Sequence, residues 1–255
     1  MEKQSALATL CFVLLISSGT AAGSASRVVI RENVSRAHQE QLINKLKKIT
    51  GWTTLSFTGE GALVIETGAF VKGSKSARNL LTQANAGQSV IVLEDASSRS
   101  DVAFCRVVPG RWARNRLAGI DAYVVLIDFA DFEQIAGDAV ARRAFDVGWA
   151  VLHELDHVVT NAADTDVNDH VGECEAHINK MREELGLPVR ASYFYTESSF
   201  KGDRNFNTRF VRLPFEQVDA SSRRRKRYWL IWDFTAVGGG PPSPNRLARS
   251  SADIF

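Results

Sequence analysis

Apolar residues along this chain come in short bursts whose spacing switches between helical and alternating. Over residues 35–48, Leu42, Ile43 and Leu46 fall on one side of a helical wheel and Lys and Gln on the other, which predicts an amphipathic helix. Residues 76–86 repeat the pattern, with Ala77, Leu80 and Leu81 facing inward. Residues 53–58 and 62–67 read as short strands joined by Gly59-Glu60-Gly61, a hairpin signal. Two more strands are predicted at 89–94 and 102–108, flanking a polar turn. Residues 122–128 are almost wholly apolar and are expected to be the most buried strand. Residues 129–135 lead into a longer helix from Ala139, with Asp138 as N-cap and Phe145, Trp149, Leu152 and Val159 as its apolar stripe. A following helix begins near Gly172, continues to Leu185 and stops at Gly186-Leu187-Pro188.

The ends read differently from the middle. Lys3 precedes an apolar run over residues 6–16, followed by small residues through Ala22 and Ala25. That is the layout of a secretory signal peptide over residues 1–25, with an apolar stretch too short to span a bilayer comfortably. A secreted or periplasmic protein without stable membrane insertion after cleavage is therefore expected. Residues 26–237 are expected to form one domain, and the Gly/Pro-rich residues 238–255 a flexible tail. The net charge of +2 points to no general polyanionic partner. The basic run at residues 223–227 adjoins a strand-like segment from Tyr228 to Asp233 and is read as a solvated turn, so no nucleic acid is expected as a partner. Of the three cysteines, Cys11 lies in the signal region; Cys105 and Cys174 could pair in an oxidising compartment or stay as buried thiols.

The chemistry concentrates in His153-Glu154-Leu155-Asp156-His157. Positions four apart on a helix stack on one face, so His153 and His157 can offer two imidazole nitrogens to one metal ion. Glu154, rotated by roughly 100° from His153, falls beside that ion, where it can act as general base. This is the His-Glu-x-x-His arrangement of zinc hydrolases. Four of the five histidines lie between His153 and His177, and only His38 lies elsewhere.

A catalytic zinc site needs a third protein ligand, and the segment Gly172-Glu173-Cys174-Glu175-Ala176-His177-Ile178-Asn179 offers candidates. Between Ala150 and Gly186 the chain resembles the gluzincins, the thermolysin-like zinc metallopeptidases. The resemblance implies an α+β zincin-like fold, with a twisted mixed sheet packed on the His-Glu-x-x-His helix and then a second ligand-bearing helix. It implies Zn2+ held by His153, His157 and Glu175, Glu154 as catalytic base, and a peptide or protein substrate added as a strand along a sheet edge. Residues 103–108 and 62–67 are the candidate edges. Glu173 rivals Glu175, with Asp169, His170 and His177 also open, and Asn179 stands where the family usually has Asp. Tyr193, Tyr195, His177 and Arg190 are candidate oxyanion donors. Asp156 inside the motif is also reminiscent of peptide deformylases, which would make Cys105 a ligand. A non-catalytic exported domain with structural zinc, or one that uses the cleft only to bind an envelope component, is the alternative from another class.

Overall fold

The computed structural model describes residues 26–66, 68, 70–97, 99–110, 121–167, 170–197, 210–219 and 221–238. The expected signal peptide and nearly all of the expected tail lie outside the described residues. Gly238 does not start a tail: its N–H donates to both carboxylate oxygens of Asp131.

The fold is α+β, built on two sheets. The first contains β1 (Val28–Ile30), β4 (Val90–Asp95), β6 (Ala122–Ile127) and β5 (Cys105–Pro109), in the order β1-β4-β6-β5. The first three are parallel, and β5 runs antiparallel to β6 at the edge. Alternation decides its faces. Val28, Ile30, Ile91, Leu93, Val125 and Ile127 join the main core under the helices, whereas Val124 and Leu126 pack with Ala96 and Val102 on the opposite side. The small hairpin of β2 (Ser56–Phe57) and β3 (Leu63–Val64) abuts the far edge through a bridge from Ala62 to Val29. Of the two candidate edges, β5 is therefore the one beside the motif helix.

Helices α1 (Arg36–Thr50) and α2 (Lys75–Ala86) form where the apolar spacing places them. Ser35 and Ser74 cap them by accepting from His38 N and Ala77 N. Gly51 ends α1 at φ 79°, and a Cβ there would lie 2.5 Å from the Val71 carbonyl oxygen, so only glycine fits.

The motif helix departs from expectation. Instead of one helix from Ala139, there is a short α4 (Ala139–Arg143), a break, and α5 (Val147–Thr160). Asp146, not Asp138, caps α5 by accepting from Gly148 N and Trp149 N, and it is also paired with Lys45 of α1 at 3.0 Å. Asp138 instead accepts from Trp229 N. Phe145 falls in the break, and its ring packs against Phe104 and Phe215. The α5 helix packs against α1, α2, α6 (Gly172–Glu184), β5 and β6, which is why most of its residues through Asp156 are buried.

Of the second sheet, the sequence predicts only the strand-like segment at residues 228–233. β10 (Phe210–Val218) and β11 (Arg225–Asp233) form a long antiparallel ribbon, flanked by β7 (Ala136–Gly137), β8 (Val189–Arg190) and β9 (Thr196–Glu197). Its inward residues Val211, Leu213, Phe215, Leu230 and Trp232 build a second core with Phe104, Ala141 and Ala144. The basic run lies at the turn of this ribbon, where Arg225 and Arg227 pair with Glu216 and Lys226 with Asp219. The remaining helix, α3 (Phe129–Glu133), connects β6 to β7.

Candidate metal centre

Two turns of α5 present His153 and His157, with ring centroids 4.8 Å apart and planes nearly perpendicular. The His157 Nδ1 lies 2.7 Å from the Ala162 carbonyl. A carbonyl can only accept, so Nδ1 carries a proton and Nε2 is the nitrogen turned toward the cluster. Both Nε2 atoms converge on Asp164, His153 at 3.1 Å from Oδ1 and His157 at 3.4 Å from Oδ2.

Asp164 reaches this position by a local route. Asn161 takes the left-handed conformation (φ 58°) and ends α5, a turn that Asn tolerates better than most residues. The chain then doubles back, and the Ala163 carbonyl accepts from Glu173 N and Cys174 N at the start of α6. Gly172 is needed there: its φ is 77°, and a Cβ would lie 2.7 Å from Thr165 N. This clasp seats Cys174, fully buried, against the imidazoles. One donor atom from each of His153, His157, Asp164 and Cys174 lies within 4.8 Å of the other three. Imidazole, carboxylate and thiol make a donor set suited to zinc rather than to magnesium or calcium.

Glu175 sits elsewhere. Its Oε2 is 3.3 Å from His153 Nδ1, on the opposite side of the ring from Asp164 and short of good hydrogen-bond alignment. Arg182 pairs with its Oε1, and Arg190 with its Oε2 at 3.0 Å. Burial alone would raise this carboxyl's pKa, but Arg182, Arg190 and His153 hold it far below the usual carboxylate range. Asn179 accepts from Arg182 and from Arg190 N, so it braces the arginines and not a histidine. The geometry thus puts Glu175 behind His153, and Asp164 beside the Nε2 atoms of both histidines.

Glu154 is nearly buried, and its Oε2 accepts from Val107 N of β5 at 2.8 Å. Burial raises its pKa, against the opposing pull of His153 and His157. Tyr193 donates to Asp164 Oδ2 at 2.5 Å; burial and that carboxylate push its pKa up. The His153 imidazole, which burial alone would make harder to protonate, is pushed well above its usual pKa by Asp164, Cys174 and Glu175. His157 is pushed up to about 11, by Asp164 first. Burial opposes the effect on Asp164 itself, but both imidazoles and Tyr193 hold its carboxyl well below the usual range.

Other sequence candidates lie apart. Cys105 is a free thiol beside Glu154, outside the four-donor group, with its pKa pushed up by burial and by Glu154. Cys174 is also free, so no disulfide joins the two. His177 bonds Asp156 at 2.8 Å, and Tyr195 packs edge-on against Trp232. Glu173 contributes its main-chain N–H to the clasp, and Asp169 lies outside the described residues. Asp164, Cys174 and Arg182 are the residues that sequence reasoning passed over. For Arg182 a signal existed: with Cys174, Ile178 and Met181 it lies on the buried side of α6, and a charge there requires a carboxylate such as Glu175 two turns earlier.

No protein-family model, no curated protein and no solved structure matches this chain.

Proposed function

We propose that this protein is an exported zinc-dependent hydrolase of peptide bonds with a zincin-like architecture. The observation that carries the reading is the convergence of His153 and His157 on Asp164, with Glu154 one residue along the same helix and bonded to edge strand β5. His153, His157 and Asp164 would hold the ion, and Glu175 would orient His153 from behind. Zinc bound there would polarise a carbonyl oxygen and acidify water. Glu154 takes the proton of the attacking water and delivers it to the departing amine. The Val107 N–H keeps the Glu154 carboxylate in place for this transfer. The hydroxyl of Tyr193, which donates to Asp164, also lies at the cluster.

Glu154→Gln is expected to keep its zinc by elemental analysis while losing chelator-sensitive peptide cleavage by about 100-fold or more. Full cleavage by that variant would remove Glu154 from the mechanism.

A second reading has one observation in its favour. Cys174 within the donor group makes a fourth protein ligand, and four-ligand sites are structural. It predicts zinc that stabilises the fold and no cleavage of any peptide by the wild-type protein.

A further inference from the structure

We infer that the cleft beside Glu154 is a pocket for a large aromatic side chain of a bound peptide, so that cleavage falls next to Phe, Tyr or Trp. The reaction in this statement rests on the hydrolase reading; the pocket rests on its own walls. The cavity has a volume of about 280 Å3 and reaches His153 and Glu154. Trp149 of α5 forms one wall, Leu213 of β10 and Trp232 of β11 form another, and Phe104 forms a third. Phe104 meets Trp232 edge-on with centroids 5.4 Å apart, and the half-exposed Tyr195 meets the same indole at 5.7 Å.

Such walls favour a ring, because edge-to-face contacts add to the burial of apolar area. An anionic side chain would lose its hydration there beside Glu154 without gaining a free counter-ion. The two cations at the pocket, Arg182 and Arg190, are already bonded to Glu175 and to main-chain oxygens of Ala144 and Ser192. A small side chain would leave most of the apolar wall uncovered. Cys105 at the start of edge strand β5 lines the cavity together with Glu154, so a peptide extended along that end of the strand would pass the opening. Successive side chains of an extended peptide alternate in direction, and every second one is aimed toward the cleft.

The test pairs binding with cleavage, using the full chain loaded with zinc. Binding of N-acetyl-phenylalaninamide and N-acetyl-alaninamide is followed by tryptophan fluorescence. Cleavage is followed on a peptide series that differs only in the residues flanking one bond. The aromatic amide should bind at least tenfold more tightly, and peptides with a flanking Phe should be cut at least tenfold faster than those with Ala. Leu213→Phe, which fills the pocket, should abolish both preferences. Tyr195→Ala, at a half-exposed position, should reduce them at least threefold. Equal binding of the two amides, or preferences untouched by Tyr195→Ala, would overturn the pocket. Aromatic-selective binding with no peptide cleaved would remove the hydrolase and leave the pocket. Cleavage indifferent to the flanking residue would do the reverse.

Discussion

Asp164 and Glu175 both lie within reach of His153, and their surroundings give them different work. Glu175 is buried, and both of its oxygens are engaged by arginines. Asp164 is exposed, and two imidazole nitrogens and a tyrosine hydroxyl are aimed at it. Glu175→Gln should therefore strand the buried Arg182 and lower unfolding free energy by about 3–5 kcal/mol in a denaturant titration. Asp164→Asn should weaken zinc by more than about 100-fold in a chelator competition, and it should also cost the metal-free protein the stability supplied by its pairing with His153 and His157. A swap of those outcomes would return Glu175 to the ligand set. His153, Glu154 and His157 were legible because a helix makes spacing equal to geometry. Asp164 was not, because its place depends on the left-handed turn at Asn161 and on the clasp from Ala163 to α6. Glu175 and Cys174 are neighbours on one helix, separated by roughly 100°, so the sequence could place the helix at the site without saying which of them faces the imidazoles.

At the scale of elements, capping and turn chemistry set the site's frame. The Asp146 cap fixes where α5 begins; the apolar stripe runs on across the break, and so periodicity alone placed that start at Ala139. The ribbon of β10 and β11 is poorly marked in sequence, because its charged outer face and basic turn hide the alternation of its inner face. The short α3 carries a testable strain. Asp128 caps it by accepting from Asp131 N, but Asp131 also accepts from Phe104 N and Gly238 N beside the cleft. Burial and the nearby Asp131 push the Asp128 carboxyl up to about 6. A carboxyl raised in this way costs nothing below its ordinary pKa and the full penalty above its folded one. Its contribution to stability therefore falls as pH rises through that window. Asp128→Asn keeps a cap and removes the charge, and should stabilise the protein by on the order of 2 kcal/mol at pH 7.5. The gain should vanish below about pH 4 in thermal melts, whereas a gain independent of pH would point to a cause other than this charge.

Across the whole molecule, the candidate centre lies where α5, the returning loop and α6 meet, and the cleft opens between the main core and the second sheet. The α+β class and the sheet-then-helix order were readable from the apolar bursts, while the meeting of two cores at one helix depends on long-range pairing that periodicity does not encode. An ion held by α5, the loop and α6 would tie all three together. Zinc at about 100 times its dissociation constant should then add roughly 2.7 kcal/mol to stability. A chelator should reverse that gain in a thermal melt, and a melt indifferent to zinc would argue against a folded-state site.

The central claim is tested most directly by X-ray absorption at the zinc edge on the zinc-loaded protein. The account predicts one zinc per chain with two imidazole nitrogens at about 2.0–2.1 Å and a carboxylate oxygen at about 2.0–2.2 Å. A sulfur at about 2.3 Å would add Cys174 and favour the structural reading. A shell of oxygens without imidazole, or no zinc retained at all, would contradict the account.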